Sequence, residues 1–207
     1  MSDIFGPIFD GSVLTRAVLN LLEMWYPTYI QELEVQRGYT RGKIPSPKTY
    51  TERYRFDSYP DDKIPIVVAV CPGMASPPEH DGEGIYGGWW GLGVGVIAAA
   101  STEDNSERLA KIYGAAARAI LTQKPWISHD WEFSGVELVD ESYDDIPDIE
   151  QSRTMRAVQI ITRVRVENIV NVYAGPPEPF PPDPNTQPGS QWPEVEEVFT
   201  DVRMKED

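Results

Sequence analysis

The stretch Tyr86-Gly-Gly-Trp-Trp-Gly-Leu-Gly-Val-Gly-Val-Ile-Ala98 is the most informative part of the sequence, because large apolar residues and glycines alternate along it. Most even positions are apolar, whereas the odd positions include Gly91, Gly93 and Gly95. Apolar alternation of this kind predicts a β-strand with one packed face and one nearly bare face. Since glycine weakens the interior of a strand, we expect another backbone or another subunit to approach the bare face closely.

A helix is predicted directly after this strand. Residues 101–106 offer several side chains that can cap a helix, with acids placed to meet its dipole. Apolar residues then recur at helical spacing from Leu109 to Leu121, and Pro125 ends the helix. The predicted strand and helix form a scaffold that packs against neighbours, and neither carries a recognisable catalytic motif.

A second helix is predicted near the N-terminus. Its apolar stripe starts at Val13, and Ser12 is the expected N-cap. Pro27 either kinks this helix or starts another one, and Gly38 ends the helical region.

Several further strands are predicted from alternating or continuous apolar runs. Residues 50–56 and 64–71 predict two strands joined as a hairpin with a long loop, and residues 72–84 predict a second loop. Residues 131–139 predict another strand, with a bulge at Ser134-Gly135. Residues 153–172 predict a last strand with one buried and one wet face, which is typical of antiparallel sheets.

These elements predict an α+β fold. A mainly antiparallel sheet of about four to five strands is packed by the N-terminal helix and the central helix. We expect residues 1–174 to form a single domain. Residues 175–207 contain eight prolines and cannot build a core of their own, so we expect an extended, acidic, Pro-rich C-terminal arm.

Composition limits the function. The chain has 207 residues and a net charge of −15, which disfavours unaided binding to nucleic acid or an anionic membrane. The single cysteine, Cys71, excludes an intrachain disulfide and is expected to be a small core residue. The first residues lack the features of a signal peptide, and no segment is long enough to span a membrane. We therefore expect a soluble protein made in a cytoplasm.

Charge is partitioned along the chain. Residues 36–56 carry six cations and one acid, whereas residues 130–150 hold nine acids and no Lys or Arg. Solvated loops are one interpretation of these segments. The other is that a basic segment of one subunit docks on an acidic surface of the next. The candidate interface residues are Arg37, Arg41, Lys43, Lys48, Gly91, Gly93, Gly95, Asp140, Asp144, Asp145 and Asp148.

No pattern in the chain predicts a catalytic, cofactor or metal site. Residues 82–87 spell G-x-G-x-x-G, but this run precedes a strand and is acidic, which is the wrong context for a phosphate. Glu79-His80-Asp81 supplies too few ligands for zinc, and residues 140–150 lack the ligand pattern of a calcium loop, so a solvated acidic turn is expected there. Six tryptophans leave open a carbohydrate-binding module or glycosidase, although core packing is the default.

The element order resembles the tail terminator proteins of long-tailed bacteriophages, in particular those from phages of actinobacteria. The resemblance is carried by Gly82-Glu-Gly-Ile-Tyr-Gly-Gly-Trp-Trp-Gly-Leu-Gly-Val-Gly-Val-Ile97, the helix at 107–121 and the strand at 154–167, with the Pro-rich acidic end adding to it. It covers residues 10–172 and rests on pattern and element order.

The resemblance implies an α+β subunit that closes into a hexameric ring on the finished tail tube. Such a ring stops tube polymerisation and offers a docking surface for the head and neck, and DNA passes through its lumen without tight binding. The implied partners are copies of the chain, the tail tube protein and neck proteins, without a membrane. The implied location is the virion, after assembly in the host cytoplasm. The family supplies no catalytic residues. Another neck connector, such as a head–tail stopper, is the alternative within the same class.

Overall fold

The computed structural model describes residues 9–52, 63–80, 85–126, 132–146 and 154–171. Two helices and six strands occur in these residues, in the order α1, β1, β2, β3, β4, α2, β5, β6. Helices α1 and α2 span Gly11–Gln36 and Glu103–Gln123. The strands are β1 Thr49–Thr51, β2 Ile66–Met74, β3 Glu79–His80, β4 Ile85–Ala100, β5 Phe133–Ile146 and β6 Thr154–Asn171. The predicted α+β class is confirmed, whereas the predicted arm at 175–207 lies outside the described residues.

Helix α1 is one continuous helix, with Pro27 inside it. The expected N-cap, Ser12, was wrong: Asp10 caps the helix, and its carboxylate accepts the Ser12 N–H at 2.7 Å. The C-terminus follows the prediction. Gly38 adopts a φ of +70°, the left-handed conformation that glycine tolerates best, and the Tyr39 N–H donates to the Glu34 carbonyl at 2.8 Å. These bonds end α1 and direct the following chain away from its axis.

The sheet has the strand order β1-β2-β4-β6-β5, and β3 adds to β4. All pairs are antiparallel except β1 with β2. The predicted hairpin between residues 50–56 and 64–71 is therefore wrong, because Thr49 pairs in parallel with Ile66. The chain between them is long enough to return to the starting end of the sheet, which parallel pairing requires.

Strand boundaries differ from prediction in two places. Strand β2 continues through Pro72 to Met74 with an irregular register after Val70, and β3 follows, so residues 72–84 are not simply a loop. Strand β5 reaches Ile146, so the expected acidic turn is strand over its first half. The predicted bulge near Gly135 is present, and a second shift lies between Leu138 and Asp140.

The main core lies between the helices and one face of the sheet. Leu92, Val94 and Val96 of β4 are fully buried there with Val158 and Ile160 of β6. Small residues of α2, including Gly114, Ala116 and Ala117, are also fully or almost fully buried and allow the helix to approach the sheet closely. Two tyrosines join α1, α2 and the connection between α1 and β1. The Tyr26 hydroxyl donates to the Tyr113 carbonyl at 3.2 Å, and the Tyr113 hydroxyl donates to the Pro45 carbonyl at 2.6 Å. Neither helix in the described part of the chain is long and apolar enough to cross a membrane.

Candidate subunit interface

The predicted basic residues lie on the connection between α1 and β1. Arg37, Arg41, Lys43 and Lys48 are all exposed. Within the described residues, none of the four forms an ion pair. The connection therefore presents cations whose charge the described part of the subunit does not neutralise.

A buried acid holds this connection in place. Glu34 is fully buried, and its two carboxylate oxygens accept the N–H groups of Gly42 and Ile44 at 2.8 and 2.6 Å. The pKa of Glu34 is lowered, chiefly by the Ile44 N–H, which favours the charged form. The sequence pattern missed this role. The signal is that Glu34 follows Tyr26 and Ile30 at four-residue steps along the buried stripe of α1.

Two cationic side chains lie close to the aromatic ring of Tyr39, beside this connection. The Lys43 ammonium lies 5.6 Å, and the Arg108 guanidinium 4.8 Å, from the centre of the Tyr39 ring. Arg108 comes from α2 and is exposed. Sequence reasoning missed it because the contact joins residues far apart in the chain. The loop and α2 enclose a cleft of about 510 Å³ here.

The predicted acidic residues lie on β5, the last strand in the sheet order. Asp140, Asp144 and Asp145 are exposed on this strand, whereas Asp148 lies outside the described residues. Asp145 accepts from Arg156 of β6 at 2.6 Å, a bond that raises the pKa of Arg156. Asp140 accepts only the N–H of its neighbour Glu141, at 2.8 Å, among the described residues. Among the described acids, Asp145 is therefore used within the subunit, whereas Asp140 and Asp144 form no ion pair with a described residue.

Another acid of β5, Glu141, is bound by α2. Glu141 pairs with Arg118 and accepts from the hydroxyl of Tyr143. The pKa of Tyr143 is raised to about 12, first by burial and then by its bond to Glu141. These contacts fix β5 against the helix layer.

Among the described residues, the predicted glycine face leaves room for a Cβ atom at Gly93 and Gly95, although Val68 on the same face is buried. A Cβ atom on Gly95 would meet nothing within 4 Å, and one on Gly93 would meet only the Val70 carbonyl, at 3.8 Å. At Gly91 it would lie 3.3 Å from the Pro72 ring. The subunit's own backbone therefore does not explain Gly93 and Gly95, and approach by another subunit stays a prediction.

The tryptophans do not form a row among the described residues. Trp89 and Trp90 point to opposite faces of β4, and both are half-buried. Trp25 lies under the Lys124 ammonium at 3.9 Å, and Trp126 donates its indole N–H to the Leu121 carbonyl at 3.0 Å. Trp131 and Trp192 lie outside the described part.

The motifs considered for metal binding have other contacts. Glu79 pairs with Arg165 at 2.7 Å, and the His80 ring lies 4.7 Å from the Tyr86 ring. Within the described ranges, no group of three or more His, Cys, Asp or Glu residues is placed to hold a metal ion. Cys71 is half-buried, and burial raises the pKa of its thiol, which disfavours the reactive thiolate.

No known protein family model matches the chain, and no curated protein does. Among solved structures, the chain is similar to a protein chain in the virion of a native gene transfer agent particle. The two share 18% sequence identity with a TM-score of 0.39, over 58% of this chain and 78% of the other. A likeness of this size does not assign the chain to a family.

Proposed function

We propose that this protein is a structural component of a virion, and that it is the tail terminator of a long-tailed bacteriophage. In this role, copies of the chain close into a ring on the finished tail tube, stop its growth and present a surface to the neck. The proposal starts from the sequence resemblance in the glycine-bearing strand, the capped helix and the last strand. It assigns the protein no catalytic residue and no cofactor.

The observation that supports the proposal best is the distribution of charge in the sheet order. The connection carrying Arg41 and Lys43 leads into β1 at one end of that order, and β5 with Asp140 and Asp144 forms the other end. Two different and complementary surfaces on one subunit favour head-to-tail contacts. Such heterologous contacts close into a ring when the rotation between copies closes. The glycine face at Gly93 and Gly95 offers a further surface for a neighbour.

The overall charge fits a ring that DNA traverses. With a net charge of −15, most of the surface repels phosphates, so a lumen built from it would not retain DNA. We expect no salt-sensitive duplex binding at submicromolar protein concentration in a gel-shift assay at low salt. Tight, salt-sensitive binding would contradict this part of the proposal.

The carbohydrate-binding alternative finds less support. A sugar platform needs aromatic rings side by side on one exposed surface. The described tryptophans instead lie half-buried on several elements, and Trp89 and Trp90 face opposite ways. A head–tail stopper remains the alternative within the virion class, because it too requires subunit contacts.

Tail tube polymerisation tests the proposal. Purified protein is added to polymerising tail tube protein, and tube length and bound mass are measured by electron microscopy and sedimentation. We expect shorter tubes with a ring at one end, at substoichiometric amounts of protein. Tubes of unchanged length without bound protein would contradict the terminator role, whereas a ring that binds neck proteins and not tubes would favour the stopper.

A further inference from the structure

Strand β5 carries an apolar bulge between two acids. Leu138 pairs with Thr162 and Asp140 pairs with Ile161, so Val139 is an extra residue without a partner in the ladder. Bulges at sheet edges re-aim side chains away from the regular pleat. Leu138 is 42% exposed and Val139 is 50% exposed, which is high for large aliphatic residues.

The bulge is accessible because β5 lies last in the sheet order and pairs only with β6 among the described strands. Glu137 precedes the two aliphatic residues, and Asp140 follows them. Both acids are exposed, and neither forms an ion pair with another described residue. The segment therefore presents an apolar projection with one exposed carboxylate on each side, and Arg163 stands across the ladder from Glu137.

The cleft beside Tyr39 is lined by apolar and cationic side chains, which complement the apolar and acidic residues of the bulge. Its lining includes Ile44, Leu109 and Ile112, which supply apolar surface, together with the polar groups of Ser101 and Asn105. At about 510 Å³ it has room for aliphatic side chains, and it opens to the surface beside α2. We call this cleft, defined by these residues with Tyr39, Lys43 and Arg108, the Tyr39 cleft.

The cations at the Tyr39 cleft form no ion pair with an acid among the described residues. Lys43 and Arg108 are held around one ring and repel each other, and neither pairs with an acid in the described part of the chain. Glu34 lies close by, but its oxygens are taken by backbone N–H groups. Asp104, one helical turn before Arg108, makes no ion pair with it. A carboxylate arriving from outside would relieve the repulsion between the two cations.

We propose that the Leu138–Val139 bulge of one copy inserts into the Tyr39 cleft of a second copy, so that Glu137 and Asp140 face Lys43 and Arg108. The inference rests on the proposed ring and names the contact that builds it. Apolar burial supplies affinity, and the flanking charges set register and association rate. The two surfaces belong to different parts of the subunit, so each copy offers a bulge to one neighbour and a cleft to the other.

Cysteine cross-linking between two differently tagged full-length proteins tests this contact. In a Cys71→Ala background, one protein carries Val139→Cys and the other carries Asn105→Cys, which lies in the cleft lining. In the matched control, the second protein carries Thr28→Cys instead of Asn105→Cys. Thr28 is exposed and lines a second cleft, which lies between α1 and α2. After mild oxidation, we expect about tenfold more mixed disulfide with Asn105→Cys than with Thr28→Cys. Equal amounts, or none, would overturn the contact.

A charge swap provides a second readout. Adding Lys43→Glu and Arg108→Glu to the Asn105→Cys protein should abolish the cross-link. Adding Glu137→Lys and Asp140→Lys to the Val139→Cys protein should then restore it, provided that circular dichroism shows all variants folded. Failure of the restored pair to cross-link would overturn the assignment of the charges.

The outcomes separate this contact from the proposed function. Rings on tail tubes without the cross-link would overturn the contact and leave the terminator role standing. A specific cross-link in a protein that never joins tails would support the contact and remove the terminator role. A protein that stays monomeric and does not cross-link at high concentration would overturn the contact.

Discussion

The two faces of β4 show how differently one strand can be used. On the face toward the helices, Leu92 and Val94 are fully buried. On the other face, one residue away, Gly93 and Gly95 are half-buried, and among the described residues an added Cβ atom would meet at most the Val70 carbonyl, at 3.8 Å. Further along that face, Ile97 is buried. Burial therefore alternates between complete and partial from residue 92 to residue 95 of the same strand.

The helix-side face of β4 stabilises the fold of the subunit, whereas we expect the glycine face to contact partners. The helix-side face completes a core without any contribution from the glycines. Glycine in a strand costs about 0.5–1 kcal/mol relative to alanine. Val68 and Ile97 on the glycine face are buried, but among the described residues no side chain lies within 4 Å of a Cβ atom added at Gly93 or Gly95. We therefore expect contacts outside the described residues to explain these two glycines.

The largest expected effect is on the packed face. Leu92→Ala should lower the free energy of unfolding by about 2–5 kcal/mol, because it removes a fully buried side chain and leaves a cavity. Chemical denaturation measures this directly. The matched control is Val70→Ala on β2, whose side chain is 44% exposed, and its loss should be far smaller. Equal losses would show that the two faces do not differ as described.

The next largest effect on stability is expected at Glu34, the buried acid that holds the connection between α1 and β1 in place. Glu34→Gln should lower the thermal midpoint by several degrees at neutral pH, because glutamine has only one acceptor oxygen and its NH2 group would face a second N–H donor. Glu32→Gln, at an exposed position on the same helix, is the control.

The pH dependence of this effect has a defined sign. The pKa of Glu34 lies below its ordinary value of 4.5, so its contribution to stability is present above that value and is lost as the pH falls through the lower folded pKa. The gap between wild type and Glu34→Gln should therefore shrink in acid. A gap that widens in acid would contradict the assigned role.

A smaller effect on folding, with a large effect on assembly, is expected in the basic segment. Arg41→Glu with Lys43→Glu should leave the thermal midpoint nearly unchanged, because both side chains are exposed and neither is ion-paired within the described residues. Incorporation into tails should fall, and Asp140→Lys with Asp144→Lys should restore it. Normal incorporation of the double variant across the usual salt range would mean that the segment is only solvated.

The smallest effect on stability is expected on the glycine face. Gly93→Val should change the free energy of unfolding by no more than about 0.5 kcal/mol, because among the described residues an added Cβ atom meets only the Val70 carbonyl, at 3.8 Å, and valine suits a strand. Assembly should nevertheless suffer more than with Thr122→Val, an exposed change on α2. A destabilised Gly93→Val monomer would place the close approach within the subunit instead.

The sequence predicted the elements whose periodicity is long and regular. The alternation along β4 and β6 and the apolar stripes of both helices placed the core correctly, because burial on one face imposes a fixed period. It also placed Arg41 and Lys43 on a connection between a helix and a strand. These predictions rest on local sequence patterns, which do not depend on contacts with residues elsewhere in the chain.

The sequence did not predict features that depend on residues far apart. The parallel pairing of β1 with β2 depends on where the chain returns, and propensity at residues 50–56 does not encode that path. The acids at 140–146 have a composition typical of turns, but pairing with β6 extends them into a strand. Likewise, the contact of Tyr39 with Arg108 depends on how α2 packs beside the α1–β1 connection.

The most direct test of the central claim is electron microscopy of purified phage tails that carry a gold-labelled tag on this protein. We expect label at the head-proximal end of the tube, in a ring-shaped density built from several copies. Tails from the Arg41→Glu, Lys43→Glu variant should lack that density. Label along the whole tube, or purified tails without the protein, would contradict the claim that it terminates the tail.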